Sequence, residues 1–152
     1  MTADPLPAPR RISPAGIDLI KRWEGCRLTA YRCPAGVWTV GYGSTGDHVH
    51  DGLSIDDATA EAWLRRDLER FERAVAGACP ASAPAQFDAM VSLAFNVGAA
   101  AFRASTLARL HNAGDFDGAA KQFGRWVFAG GKRLPGLVNR RRDEAQLYAS
   151  AK

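Results

Sequence analysis

The sequence has no apolar run long enough for a signal peptide or a transmembrane helix, so we expect neither self-directed export nor membrane insertion. It also has no internal repeats and no low-complexity blocks, so a repeat architecture is not expected. What remains is a chain of 152 residues with 47% hydrophobic and 24% charged residues, which are ordinary values for a globular protein. A chain of this length suits one domain that buries about two-thirds of its unfolded surface.

Cysteine and histidine are scarce, with three residues of each. Cys26, Cys33 and Cys79 permit one disulfide and one free thiol, and the short separation of Cys26 and Cys33 makes a regulatory bridge between them conceivable. Three reduced thiols are an equal alternative, because the redox compartment is unknown. His48 and His50 add a zinc alternative to these two cysteines, but the spacing matches no standard structural site. We therefore predict neither a metal nor any other cofactor.

The formal net charge is +4, and sixteen of the twenty basic side chains are arginine. A basic surface is compatible with nucleic acid, an anionic membrane surface or a bacterial wall. No nucleic-acid-binding motif accompanies the charge, so nucleic acid is not a predicted partner. A solvated basic surface is the default explanation of the charge.

The N-terminal residues differ in composition from the rest. Residues 1–12 hold three prolines and no apolar run, and we expect them to form a flexible arm with Arg10 and Arg11 at its base. Residues 13–152 are expected to form a single domain, with a hairpin lobe over about residues 26–53 and a helical lobe made by the remainder.

Residues 23–45 carry the most informative pattern in the chain. Ser13 and Pro14 are typical of a helix start, and Gly25 suits a left-handed stop, so Glu24 is predicted to be the last residue of a helix. The negative end of the helix dipole and partial burial both disfavour a carboxylate. We therefore expect a raised pKa for Glu24, which is what a general acid needs near neutral pH. A solvated helix-end glutamate is the alternative explanation of an isolated Glu-Gly pair.

Residues 31–42 are typical of a β-hairpin, because a Cys-Pro-Ala-Gly turn interrupts them. Alternation along the return strand places Thr39 on one face with Val37 and Gly41. These neighbours are small, so we expect open space in front of the Thr39 hydroxyl. Ordinary strand propensity is the alternative explanation of this threonine.

Eight residues lie between Glu24 and Cys33, and five lie between Cys33 and Thr39. This spacing, with the Gly-Tyr-Gly that follows, closely resembles the active-site segment of phage-type lysozymes, the endolysins of glycoside hydrolase family 24. The resemblance implies that Glu24 is the general acid and that Thr39 helps to position the attacking water. Cys33 stands where the family usually has Asp. A thiolate would keep the negative charge and could act as base or nucleophile, whereas an ordinary thiol is mostly protonated at neutral pH.

Two further segments resemble the same family. One begins at Gln86 and ends in Asn-Val-Gly, and the other runs from Trp126 to a run of three arginines and Glu144. We expect one of these three arginines to be buried and two to be solvated. Asn96 is predicted at a helix end, where it either hydrogen-bonds an N-acetyl group of the substrate or caps the helix. Tyr42, in the Gly-Tyr-Gly, is the second predicted substrate-binding residue.

One family contact is changed in this chain. Ser44 stands where the family commonly has a histidine paired with an acid matching Asp67. A Ser44–Asp67 hydrogen bond is still expected to be feasible, but its charge assistance is lost. Further on, Ser54 is expected to cap a helix over residues 55–76, whose apolar stripe predicts one buried face.

The resemblance implies a mainly helical α+β lysozyme-like fold, in which a small β-hairpin lobe and a larger helical lobe enclose a cleft. The expected activity is cleavage of bacterial peptidoglycan between N-acetylmuramic acid and N-acetylglucosamine, by a monomer that needs no cofactor. By the family resemblance, a holin would release the enzyme to the periplasm and cell wall. The alternatives are a wall-binding module with weak or no turnover, and a protein held inactive by a Cys26–Cys33 disulfide.

Overall fold

The computed structural model describes residues 9–151. Along them the elements are α1 (Pro14–Glu24), β1 (Arg27–Arg32), β2 (Trp38–Gly41), α2 (Asp57–Ala78), α3 (Pro84–Val97), α4 (Ala99–Arg103), α5 (Thr106–Asn112), α6 (Phe116–Gln122), a 3₁₀ turn (Phe123–Arg125), β3 (Phe128–Ala129), β4 (Lys132–Arg133) and α7 (Pro135–Ala149). Within this part of the chain, no helix is both long and apolar enough to cross a membrane.

The predicted hairpin consists of β1 and β2, which pair antiparallel with Tyr31 opposite Thr39. The chain that follows the hairpin returns beside β1. The N–H of Ala30 donates to the carbonyl of Leu53 at 2.8 Å, and the N–H of Ile55 donates to a β1 carbonyl at the same distance. The hairpin is therefore braced by a short third segment before α2 begins.

Helix α2 connects the hairpin to the remaining helices. Its cap is Asp56, whose carboxylate accepts the N–H of Thr59 at 2.8 Å, and not Ser54 as predicted. Ser54 instead forms a bridge with Thr29 of β1, because the chain there is still extended beside the hairpin. The predicted apolar stripe of α2 is buried, and it consists of Leu64, Leu68, Phe71 and Val75.

Helix α3 is the central helix of the larger, helical part. All residues from Gln86 to Ala94 are buried, because α1, α2, α4 and α7 pack around this helix. Its Asp88 also receives α1: the N–H of Ser13 donates to Asp88 at 2.9 Å, and the Ser13 hydroxyl donates to the same carboxylate instead of capping α1. The predicted fold class, mainly helical with a small hairpin, is confirmed.

The flexible arm predicted over residues 1–12 is too long at its C-terminal end. Its first eight residues lie outside the described residues, but Arg11 and Ile12 belong to the packed structure. Ile12 is buried and its N–H donates to the Glu72 carboxylate at 2.7 Å, while Arg11 pairs with Glu72 at 3.1 Å and with Glu69 at 3.2 Å. A buried apolar side chain and a carboxylate acceptor on α2 thus fix this backbone. Proline content alone could not reveal either contact.

Glu72→Ala is expected to lower the free energy of unfolding by about 1–3 kcal/mol, because it leaves the buried N–H of Ile12 without an acceptor. Glu69→Ala is the matched control. It removes a 41% exposed carboxylate that pairs with the same Arg11, and it should cost at most about 1 kcal/mol. Urea unfolding of both variants measures the difference, and equal costs would contradict the anchoring of residue 12.

Candidate active site

Glu24 is the last residue of α1, as predicted. The helix ends there because Gly25 adopts a φ of +67°, which glycine takes without strain. Oε1 of Glu24 accepts a hydrogen bond from Nη1 of Arg140 at 2.7 Å. Oε2 lies on the side of Gly43, where a Cβ added to that glycine would be 3.9 Å from it. The acid therefore lies between α7 and the end of the hairpin.

A buried ionic cluster lies behind Glu24. Nε of Arg140 is 3.4 Å from Oε2 of Glu144, which also accepts the Ser92 hydroxyl at 2.5 Å. Nε of Arg141 is 2.8 Å from the other oxygen of Glu144, as an ion pair without hydrogen-bond alignment. Burial raises the pKa of the Glu144 carboxyl, and the two guanidinium groups oppose that rise. The cluster joins α3 and α7 to the end of α1.

Sequence reasoning missed Arg140 as a member of the site. We expected one buried arginine in the run of three, but Arg140 and Arg141 are both buried and only Arg142 is exposed. The available signal was the spacing of Arg140 and Glu144, because residues four apart lie on the same face of a helix. The sequence carried no signal for the pairing of Arg140 with Glu24.

Cys33 lies at the tip of the hairpin, directly after β1. Its N–H donates to the Val37 carbonyl at 3.0 Å, and the Gly36 N–H donates to the Cys33 carbonyl at 2.7 Å, which closes the turn. The backbone N–H groups of Val37 and Ala35 lower the pKa of the Cys33 thiol, with smaller contributions from the Thr39 hydroxyl and the Gly36 N–H; desolvation acts in the opposite direction. The turn therefore favours a thiolate.

Thr39 lies beside Cys33, but it does not face open space as we expected. It is 5% exposed, and its hydroxyl donates to the Val37 carbonyl at 3.0 Å. Strict alternation fails because Val40 is buried as well. That strand packs against β1 and α2, and Val40 pairs with Ser44 where the chain folds back. The Thr39 oxygen keeps its lone pairs for accepting a hydrogen bond from a water.

The three cysteines, Cys26, Cys33 and Cys79, are free thiols in the structure. Cys26 is exposed at the base of the hairpin and Cys33 lies at its tip, with the six residues of β1 between them. An extended strand of this length separates them by about 20 Å. A disulfide requires Cα atoms within about 7 Å. The turn follows Cys33 and does not lie between the two cysteines, so a bridge would require β1 to be rearranged.

The two predicted substrate-binding residues lie on different elements. Asn96 is exposed in the last turn of α3, and its Oδ1 accepts a hydrogen bond from Arg141 at 2.7 Å. The helix ends at Gly98, with φ of +102°, so Asn96 is not the cap that we considered. Tyr42 is partly buried against the helical core, and burial, together with the neighbouring Cys26, raises the pKa of its phenol. Their contact with a substrate stays a prediction.

Ser44 forms the expected hydrogen bond with Asp67, donating its hydroxyl to Oδ2 at 2.6 Å, and is 1% exposed. This bond ties the loop after the hairpin to α2. His48 of the same loop packs edge-on against Trp63, with ring centroids 4.6 Å apart. Among residues 9–151, no three His, Cys, Asp or Glu side chains gather into a group that could hold a metal ion.

Comparison with known proteins identifies several similar chains. A family model described as phage lysozyme matches residues 21–144. The endolysin of Acyrthosiphon pisum secondary endosymbiont phage 1 is 44% identical over 145 residues, which are 92% of this chain and 99% of that protein. The muramidase domain of SpmX from Asticaccaulis excentricus is 36% identical with a TM-score of 0.86, over 93% of this chain and 99% of the domain.

The P1 phage endolysin Lyz is similar in two crystal structures. Its active form is 30% identical with a TM-score of 0.83, over 93% of this chain and 86% of that one. Its secreted inactive form is 29% identical with a TM-score of 0.61, over 92% and 96% of the two chains. The present structure is therefore more similar to the active form than to the inactive one.

In a Cys26→Ser background, alkylation of Cys33 by iodoacetamide should follow a pH profile whose midpoint lies below about 8.5, the ordinary thiol value. Cys79 is the internal control, since it is buried and burial raises its pKa to about 11. Mass spectrometry of tryptic peptides measures both rates. A midpoint at or above 8.5 would contradict the effect of the turn.

Proposed function

The chain belongs to the phage lysozyme family, and from this premise we propose that it hydrolyses the β-1,4 bond between N-acetylmuramic acid and N-acetylglucosamine in bacterial peptidoglycan. It is an enzyme of the lysozyme type. The observation that carries the finer proposal is the placement of the Glu24 carboxylate, which Arg140 holds at 2.7 Å through Oε1 while Oε2 lies on the side of Gly43. The lowered pKa of the Cys33 thiol supports an anion at the position of the family's usual carboxylate.

In this mechanism Glu24 is the general acid. Arg140 donates to Oε1, so the catalytic proton is carried by Oε2, the oxygen on the side of Gly43. Oε2 delivers that proton to the glycosidic oxygen while the bond to the muramic acid C1 breaks. Positive charge then develops on the sugar ring. Glu144 supports this step by holding Arg140 in place.

Cys33 supplies the anion that complements this charge. In one route the thiolate stabilises the oxocarbenium-like transition state, Thr39 positions a water, and the water loses its proton to the thiolate as it attacks C1. In a second route the thiolate attacks C1 itself, and a water deprotonated by Glu24 then displaces it. Both routes end with the same net hydrolysis. The second regenerates the Glu24 acid directly, whereas in the first the proton taken up by Cys33 returns to Glu24 through solvent.

We further propose that Tyr42 and Asn96 contact the glycan, and that Arg141 orients the Asn96 amide for this purpose. The active form is a monomer that needs no metal or other cofactor. Its single domain, predicted over residues 13–152, also includes Arg11 and Ile12. Its place of action is the periplasm and cell wall, which it reaches after release by a holin, as the family resemblance implies.

Two alternatives concern the same site. A wall-binding module without turnover is motivated by the Asp-to-Cys departure at Cys33 and by Ser44, but a pure binder has no need of an acid held as Glu24 is. The second alternative is a form that a Cys26–Cys33 disulfide keeps inactive. The separation of these thiols and the greater similarity to the active form of P1 Lyz support the reduced, active state. Faster Cys33 alkylation after addition of reductant would reveal the bridged form.

Glu24→Gln should reduce digestion of purified peptidoglycan sacculi by about 10²–10⁴-fold, because an amide has no proton to give to the glycosidic oxygen. The amide oxygen can still accept the Arg140 hydrogen bond and Glu144 still pairs with Arg140, so the variant should remain folded, with a lowered melting temperature. Glu61→Gln is the matched control, since it neutralises an ion-paired carboxylate on α2, outside the site. Turbidity gives the rate, and borohydride reduction followed by mass spectrometry identifies the new reducing end.

Wild-type protein should release fragments that end in reducible N-acetylmuramic acid. Near-normal digestion by Glu24→Gln would remove Glu24 from the acid role. An inactive wild-type protein that still binds sacculi would favour the binding-module alternative.

Cys33→Asp is expected to keep activity within about tenfold of wild type, because Asp is ionised at neutral pH and has a similar reach. Cys33→Ser should lose at least about 100-fold, since a neutral hydroxyl supplies no charge and is a weak nucleophile. Cys26→Ser makes the same chemical change at an exposed position and should match reduced wild type. If Cys33→Ser digests sacculi as fast as wild type, the role of Cys33 as the catalytic anion is wrong.

A further inference from the structure

A groove of about 620 Å³ lies between the second half of α2, α4 and α5. None of the residues placed in the candidate active site lines it. The small residues that line it are Gly77 and several alanines, which leave room for a ligand. Three exposed arginines also line it, one from each of the three helices, and they are Arg73, Arg103 and Arg109.

The three arginines of this groove have no ion-pair partner among residues 9–151. Other arginines of the same part of the chain do form such pairs, and these include Arg11, Arg22, Arg65, Arg140 and Arg141. No aspartate or glutamate lines the groove. Three like charges that line one groove without a counter-charge create a positive potential, which an anionic ligand would neutralise. Guanidinium groups bind carboxylates and phosphates with paired hydrogen bonds.

The groove also offers a fixed acceptor. Nδ2 of Asn112 donates to the carbonyl of Ala78 at 2.8 Å, so the amide is oriented and its Oδ1 remains as an acceptor. A phosphodiester has no donor to satisfy that oxygen, whereas a peptide has an N–H at almost every residue. The combination of arginine donors and an amide acceptor therefore favours an acidic peptide.

The residues that line the groove do not favour nucleic acid or a lipid surface as the ligand. It contains no aromatic side chain on which a nucleic-acid base could stack. It contains no large aliphatic or aromatic side chain that could insert into a lipid surface either.

We propose that this groove binds the acidic stem peptide of a neighbouring peptidoglycan strand, and so holds the enzyme on the wall at a point away from the cleavage site. The inference rests on the proposed function, because it takes peptidoglycan as the substrate. Stem peptides combine carboxylates, amide N–H groups and alanine methyl groups, which match the arginines, Asn112 and the alanine lining. A second attachment point raises the effective concentration of the enzyme on its polymeric substrate.

The test is an NMR titration of the ¹⁵N-labelled full chain with a sugar-free stem tetrapeptide. The amide signals of Gly77, Ala104 and Asn112 should shift with a common dissociation constant. The variant Arg73→Gln/Arg103→Gln/Arg109→Gln should bind the peptide at least tenfold more weakly.

The matched control is Lys121→Gln/Arg125→Gln/Arg142→Gln. It also lowers the net charge from +4 by three, to +1, at exposed positions outside the groove. Its dissociation constant should stay within twofold of wild type. Equal weakening in both variants would overturn the proposal, because it would show a general charge effect.

Inorganic pyrophosphate is the second titrant. If it shifts the groove signals and the peptide does not, the groove is a phosphate site and the proposal is wrong. Peptide-induced shifts confined to residues around Asn96 would overturn it as well. Digestion of sacculi is measured separately, so a wild-type enzyme that digests them but whose groove ignores the peptide refutes the attachment and not the enzymatic function. Peptide binding in the groove without digestion would refute the enzymatic function alone.

Discussion

The buried guanidinium of Arg140 is the constraint on which the acid side of the site depends. Its side chain is 6% exposed, and its carboxylate partners are Glu24 at 2.7 Å and Glu144 at 3.4 Å. Removing a partner from a buried charge typically costs about 3–5 kcal/mol. Ser92 of α3 holds Glu144 in turn. The end of α1 is therefore fixed by charge to α7 and α3, and the position of the acid is a consequence of how the helical core is built.

The hairpin side of the site is built by a different principle. Backbone N–H groups of its own turn lower the pKa of the Cys33 thiol, and desolvation opposes them. Such donors favour an anion whatever atom carries the charge. Under the proposed mechanism, the same donors would serve either an Asp or a Cys at this position.

Features set by neighbouring residues were predictable from the sequence. The end of α1 at Glu24, the hairpin and the buried stripe of α2 each follow from a glycine, a turn or a periodicity within a few positions. Contacts between distant segments were not predictable. Arg140 and Glu24 are 116 positions apart, and Ile12 meets Glu72 across 60. Thr39 was misjudged for the same reason, because the elements that bury β2 come from elsewhere in the chain.

Glu24 and Cys33 lie on separate parts of the molecule. Glu24 is fixed to the helical core, whereas Cys33 is carried by a hairpin that is braced by the chain around Leu53 and Ile55. In glycosidases the distance between the two catalytic groups decides whether a water fits between them, and so whether the anomeric configuration is inverted or retained. Under the proposed mechanism, the brace around Leu53 and Ile55 thus helps to set the separation of Glu24 and Cys33 on which the stereochemistry of the product depends.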